Sequence, residues 1–374
     1  MFHHLDEIEG AWLEFQGRAH GTFYQTYQWC KAWQETAGAA NGVRPRIVTG
    51  RDLDGRLLFL LPFGLHRSYG CVTLDWLGGD QNSYGLGLYD KGFMRHANTW
   101  FANQGWLIFD LIGRFDAINL NNMPGTWNGF AHPLSRWFSI AGANQSFVTR
   151  LEPDFDKLYA SKRSAESRRG NRKRDAKLMK NADVRFGLPA NRAEAHSRLD
   201  EMFGQQQGRL AEQGIHGIFG ATERAFIHHL VDLPDRMQPV LLPYHLTIDG
   251  EMEAMMLGGC YGGGYWALIS SIGTSATALR HSPGDAALRR TIAACCGRGL
   301  EFFDFSSGRS AYKLHWADEA VSLHHTVRAR TPRGYAWALV RMTSLALKRA
   351  IKASPLLWQV TTALRRHLAG SSSH

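Results

Sequence analysis

The residues best placed to do chemistry gather in one stretch, Leu279 to Trp316, which reads LRHSPGDAALRRTIAACCGRGLEFFDFSSGRSAYKLHW. It holds His281, Asp304, Tyr312 and Lys313, and between the first two lies the small-residue turn Ser282-Pro283-Gly284. A turn of that composition leading into a helix leaves backbone N–H groups unpaired and aimed outward. The helix dipole adds partial positive charge at the same point, so the expected ligand is a phosphate. The element that carries the turn is a helix running to about Gly297, with Leu288, Ile292 and Cys295 or Cys296 at helical spacing. Asp285 or Ser282 is expected to cap it, Arg289 and Arg290 to face outward, and Gly297 or Gly299 to end it. A short strand, Phe302 to Phe305, and a loop ending in Tyr312 and Lys313 complete the stretch.

Length and composition bound what surrounds it. The chain has 374 residues, enough for two domains, and 44% hydrophobic against 20% charged residues describes a globular protein rather than a disordered one. Five cysteines without a Cys-x-x-Cys pair give neither a zinc site nor a disulfide framework, so no metal and a reducing cytoplasm are expected. The N-terminus, MFHHLDEIEGAWLEF, carries acids where a secretion signal needs bases. No apolar run approaches the ~20 residues of a membrane span. Net charge is +10, and its placement matters more than its size. Between Lys157 and Lys180 ten Lys or Arg face only Glu166 and Asp175, and after Glu319 nine Lys or Arg face no acid. A basic connector and a basic tail on an otherwise net acidic body suit an anionic partner surface.

In chain order, 22–37 reads as an amphipathic helix with Tyr27, Cys30 and Trp33 on one face. Arg46 to Gly50 and Arg56 to Leu65 form a hairpin about Asp54-Gly55, with Pro62 near the end of the second strand. Val72 to Leu77 is a third strand. The following GGDQNSYGLGLYD is irregular, and Asn82, Ser83 and Tyr84 there are either a connector or the rim of a substrate pocket. Phe93 to Asn103 reads as a helix, Trp106 to Ile112 as a strand, and Asn119 to Ser135 as a long irregular loop, a lid or a plain connection.

Strand 146–151 leads to Phe155–Tyr159 and then the basic helix Arg163 to Lys180, which is a solvated face, a binder of an anionic substrate, or a contact for an anionic membrane. The second half begins with a strand at 183–186 and helices at 192–213 and 222–233. Strands 240–248, 253–261 and 265–272 follow, joined by Asp249-Gly250 and by Gly262-Gly263-Gly264. The tail, Tyr335 to Leu368, gives two helices broken at Pro355, each apolar on one face and basic on the other. They lie in a membrane interface or pack on their own domain.

The phosphate turn, its helix, the Gly-x-x-x-Phe-Asp-Phe strand and the Gly-x-x-x-Tyr-Lys end come in an order that resembles the CelD-like branch of the GNAT acyltransferases, relatives of the FemX and FemAB transferases. The likeness extends over about Ser161 to Trp316 and, more loosely, over WCKAW, GRLLFLLPF and LGGDQNSYG in the first half. It implies an α/β (α+β) fold of tandem GNAT-like domains with mixed, mainly antiparallel sheets and C-terminal amphipathic helices. The expected divisions are 1–152, a basic connector 153–182, an acyltransferase domain 183–330 and a tail 331–369.

The resemblance also implies a function: transfer from acyl-CoA to an amine or hydroxyl of a lipid, such as a sphingoid base, or of a surface-polysaccharide precursor. The setting would be the inner face of the cytoplasmic membrane, with the protein peripheral on it. Arg280, Ser282 and Gly284 would hold the donor pyrophosphate, in place of the commoner Gln/Arg-x-x-Gly-x-Gly/Ala, and the strand bearing Ser270 and Ser271 would polarise the acyl carbonyl. The base is His281 or Asp304. Tyr312 would protonate the leaving thiolate and Lys313 hold an anionic group. The family's His-x-x-Arg is here Gln206-x-x-Arg209, and His216 either stands in or is a surface residue. Two other readings stay open: FemX-like aminoacyl transfer from charged tRNA, and a non-catalytic basic binding module.

Overall fold

The computed structural model describes residues 1–212, 220–233, 240–275 and 281–354, with backbone alone at 210–212. The expectations for Arg280, for His216 and for the tail beyond Ser354 lie outside the described residues. The first half comprises α1 (Glu9–Gln16), α2 (Tyr27–Trp33), β1 (Arg44–Arg51), β2 (Leu57–Ser68), β3 (Cys71–Trp76), β4 (Leu88–Tyr89), α3 (Met94–Gln104) and α4 (Trp106–Ile112). There follow β5 (Ala117–Pro124), β6 (Thr126–Trp127), β7 (Phe130–Ala131), β8 (Ile140–Arg150), α5 (Phe155–Lys162), α6 (Ala165–Asn181) and β9 (Val184–Gly187). The remainder is α7 (Arg192–Glu212), α8 (Ala221–Asp232), β10 (Val240–Ile248), β11 (Glu251–Tyr261), β12 (Gly264–Ile272), α9 (Pro283–Gly297), β13 (Phe302–Ser307), α10 (Ala311–Trp316), β14 (Glu319–Ala329) and α11 (Pro332–Ala353). The fold is mixed α/β and mainly antiparallel, and the residues gather in two compact units.

The first unit holds Met1–Ser146, 225–233 and 321–354. Its strands run in the order β1-β2-β3-β5-β14, antiparallel except for β3 beside β5. Burial of Trp12, Phe15, Phe23, Tyr24, Phe63 and Phe101 supplies its core. Helix α2 starts at Tyr27, later than the periodicity suggests, because the Thr26 hydroxyl accepts the Trp29 N–H and caps it there. Pro62 sits mid-strand opposite Ile47 rather than near the strand's end.

Two readings of this half need correction. Trp106–Ile112 is a helix, not a strand: Ile108 and Ile112, four apart, are buried, while Trp106, Leu107 and Leu111 stay exposed. An apolar run of that length fits either period, and burial on one side decided it. The loop expected over Asn119 to Ser135 contains most of β5 and the β6–β7 hairpin, whose turn is Asn128-Gly129. Both turn residues have positive φ, 46° and 81°, the geometry that Asn-Gly favours in a two-residue hairpin.

The second unit holds 147–212, 220–224, 240–275 and 281–320. Its strands run β9-β10-β11-β12-β13, antiparallel up to the last pair, which is parallel. Helices α7 and α9 both contact β11, which explains why Met252 to Tyr261 is buried without alternation. Tyr265, Ile292, Cys295, Phe303 and Trp316 lie in one hydrophobic cluster. Asp249 and Gly250 turn β10 into β11 with φ of 53° and 91°.

Pairing within this unit prepares a site. β12 pairs with β13 only from Gly264 to Trp266, opposite Phe302 to Asp304. On its other side β12 stays paired with β11 as far as Ile272, through an irregularity opposite Leu257 and Gly258. Ala267 to Ile272 therefore runs on without β13 beside it, so among the described residues one edge of that segment is free of strand pairing.

Candidate functional site

The open edge of β12 carries Ser270 and Ser271, and elements from three parts of the second unit meet them. The Gln206 amide of α7 donates to the Ser270 carbonyl, and the neighbouring Gln205 accepts from the Ser271 hydroxyl at 2.6 Å while donating to the Met252 carbonyl at 2.6 Å. From α10, Tyr312 is hydrogen-bonded to the Ser270 side chain and feels the positive charge of Arg209. Tyr312 as a whole is 39% exposed. Burial pushes the phenol upward, against the opposing effects of Ser270 and Arg209, so it stays protonated near neutrality. A neutral phenol is chemically able to donate a proton.

Lys313 is not the exposed loop residue that the sequence suggests. It lies in α10, 7% exposed, with its ammonium donating to the carbonyls of Ser307 at 3.0 Å and Ser306 at 3.4 Å. Burial brings its pKa down to about 8, and the Asp304 charge resists that shift. Asp304 is fully buried and accepts the Ser306 N–H at 2.7 Å. The pair braces the end of β13, where Ser306 has a positive φ of 62°.

Across the open edge stands the start of α9. Ser282 occupies the N-cap position in a left-handed conformation and makes no side-chain cap bond, contrary to expectation. Its carbonyl instead accepts the N–H groups of Asp285 and Ala286. Pro283 has no N–H, so Gly284 supplies the remaining donor of the first turn. A Cβ on Gly284 would lie 2.5 Å from the Ile272 terminal methyl, which shows how closely the turn sits on the end of β12. His281 has its Nδ1 buried and, among the described residues, without a hydrogen-bond partner.

Arg289 does not face outward. It bonds Asp175 of α6 at 2.8 and 3.0 Å and Asp285 at 2.9 Å, and these two carboxylates hold its pKa above the usual guanidinium range in spite of burial. This fastens the basic helix to α9 through the one acid in its centre. Of the rest of α6, only Asn171 and Leu178 are buried, which leaves Arg169, Arg172, Lys173, Arg174, Lys177 and Lys180 exposed.

Asn82, Ser83 and Tyr84 belong to the first unit. Asn82 accepts from the Trp29 indole at 2.8 Å and donates to the Leu77 carbonyl at 2.7 Å, and Tyr84 is fully buried against Tyr24 and Trp127. Ser83 is half-buried. The sequence reading passed over Gln205 and Glu253. Glu253, 4% exposed, accepts from the Ser275 hydroxyl at 2.6 Å, and its carbonyl accepts the Gly273 N–H. A lone acid inside the apolar run MEAMMLGG was the signal for it. Among the described residues no group of His, Cys, Asp and Glu is arranged to hold a metal ion.

Residues 165–314 match the family model described as an Acetyltransferase (GNAT) domain, which supports placing this part of the chain in the GNAT superfamily. Among solved structures the chain is similar to FemX, at 10% identity over 87% of this chain and 96% of that one, with a TM-score of 0.55. It is also similar to the C-terminal domain of a putative lysylphosphatidylglycerol synthetase from Agrobacterium fabrum, at 11% identity over 91% and 97%, with a TM-score of 0.52. A third, a conserved protein of unknown function from Bacteroides thetaiotaomicron VPI-5482, gives 9% identity over 87% and 98%, with a TM-score of 0.51. No curated protein matches the sequence. At these identities the structural likenesses speak for the fold alone, and the family match supports a GNAT-type transferase.

Proposed function

We propose that the protein is an acyl-CoA-dependent acyltransferase of the CelD-like branch, acting on an amine or hydroxyl of a lipid, such as a sphingoid base, or of a surface-polysaccharide precursor at the cytoplasmic membrane face. The observation that carries this reading is the parting of β12 from β13 after Trp266, with the start of α9 pressed on Ile272 and Tyr312 bonded to Ser270. A pantetheine chain can add to the unpaired edge of β12 while its pyrophosphate meets the Gly284 N–H and the helix dipole, with Ser282 beside it. Backbone N–H groups near Ser270 and Ser271 then polarise the thioester carbonyl as the acceptor attacks. His281, with an unpartnered ring nitrogen, is the base we favour, because Asp304 is fully buried and bonded to Ser306. The acyl carbon gains a bond to the acceptor and loses its bond to sulfur, and the Tyr312 proton goes to the thiolate. Lys313 acts by holding the end of β13 rather than by meeting an anion.

The exposed bases of α6, together with the likeness to FemX, favour one second reading: aminoacyl transfer from charged tRNA. One experiment separates the two. Purified protein is incubated with acyl-CoAs of several chain lengths and a sphingoid base, and free thiol is followed. Thiol release that depends on the acceptor supports the first reading. Silence with every acyl-CoA, alongside discharge of aminoacyl-tRNA, replaces it with the second.

A further inference from the structure

Helix α11 rests on the first unit through Gly334 and Leu345, which are buried, and through Trp337, Ala338, Arg341 and Met342, which are partly buried, and hydrogen bonds add to that packing. Arg341 donates to the side-chain oxygens of Asn119 and Asn121, both at 3.1 Å, Lys352 to Asn144 at 2.5 Å, and Arg333 to the Gly70 carbonyl at 3.1 Å. The helix start is pinned by Thr331, which bonds Asp116 at 2.6 Å and accepts the Gly334 N–H. The opposite side is apolar and open: Tyr335 is 68% exposed, Leu339 and Val340 71% each, and Leu347 59%. Thr343 and alanines fill the same side, so the stripe carries no charge over four turns. A helix whose outward side met only water would carry charged or polar residues there. An exposed apolar stripe of this kind marks an interaction surface.

Charge identifies what the stripe meets. Lys348 and Arg349 are exposed beside it, and the chain has no acid after Glu319. A second copy of the chain, related by a two-fold axis, would bring base against base. RNA would meet the bases but leave the stripe in water. An anionic bilayer satisfies both, since apolar side chains enter the acyl boundary while Lys and Arg reach up to phosphates. A neighbouring group fits the same surface: Tyr69, fully exposed, precedes the Gly70 that Arg333 holds. Aromatic residues of this type favour the headgroup level.

We propose that the outward stripe of α11, formed by Tyr335, Leu339, Val340 and Leu347, docks the protein on an anionic phospholipid bilayer. This inference stands apart from the acyl-transfer reading, because it needs no donor, acceptor or turnover. The test is flotation of the full-length protein with vesicles containing about 30% phosphatidylglycerol, and with pure phosphatidylcholine, at low salt. The wild type should float with the anionic vesicles, and added salt should release it. Leu339→Glu combined with Val340→Glu should cut vesicle binding by about tenfold or more with no change in Tm, since both side chains are exposed. Lys348→Glu combined with Arg349→Glu should weaken anionic binding while leaving the apolar stripe intact. The proposal is overturned if the wild type ignores anionic vesicles, or if the Leu339→Glu, Val340→Glu variant still floats. It is equally overturned if light scattering finds a dimer that this variant dissociates, since the stripe would then be a subunit interface.

Discussion

Lys313 gives the second unit a pH dependence whose sign is fixed by its burial. Its pKa is held at about 8 in the folded chain against 10.5 unfolded. Between those values the unfolded chain binds the extra proton, so stability rises with pH through that window. The shift of about 2.5 units corresponds to roughly 3 kcal/mol at about 1.36 kcal/mol per unit, fully present as a cost below pH 8 and relieved above 10.5. Lys313→Met keeps the length of the side chain and removes the titration. It also leaves the Ser306 and Ser307 carbonyls without their donor, a penalty of about 1–3 kcal/mol that does not vary with pH. The measured quantity is therefore the difference in unfolding free energy between wild type and variant, taken by urea denaturation at several pH values. Tryptophan fluorescence is a suitable probe, because Trp266 and Trp316 of this unit are both fully buried. The difference should move toward the wild type by about 1–2 kcal/mol between pH 7.5 and 9.5, the accessible part of the full change. A difference that is flat, or that falls with pH, would refute the burial argument.

Two further outcomes follow from the same unit. Tyr312→Phe should lower kcat by about 10²-fold with little change in KM, because the phenol is needed only when the thiolate leaves, and stopped-assay kinetics with the acyl-CoA that turns over best measures it. Arg289→Met removes the cation shared by Asp175 and Asp285 and should lower stability by about 2–4 kcal/mol, read as a fall in the urea midpoint without a change in m. An unchanged midpoint would mean that the tie between α6 and α9 adds nothing to the fold.

Much of the second unit was legible before any coordinates because its signals are local. Asp249-Gly250 sits where the chain must take positive φ, the strands on either side are β-rich runs, and Pro283-Gly284 opens a helix with Leu288 and Ile292 on one side. Each of those signals is decided within a few residues, by backbone sterics and side-chain period. The same holds for the basic helix, whose lack of apolar residues forecast its exposed face.

What sequence left open depends on residues far apart in the chain. The run WLIFDLI satisfies either period, and packing on Ile108 and Ile112 made it helical. Arg289 looks like a surface base until Asp175, far away in sequence, is brought against it. Lys313 follows an exposed tyrosine in a short polar segment, yet the carbonyls of Ser306 and Ser307 and the buried Asp304 give it an interior place. The open edge of β12 is a fact of strand pairing, and no single residue encodes it. Helix α11 makes the same point most simply. Its sequence determined that Tyr335, Leu339, Val340 and Leu347 share one side, but only the first unit, which buries Leu345 and binds Arg341 through Asn119 and Asn121, decided that this side turns out.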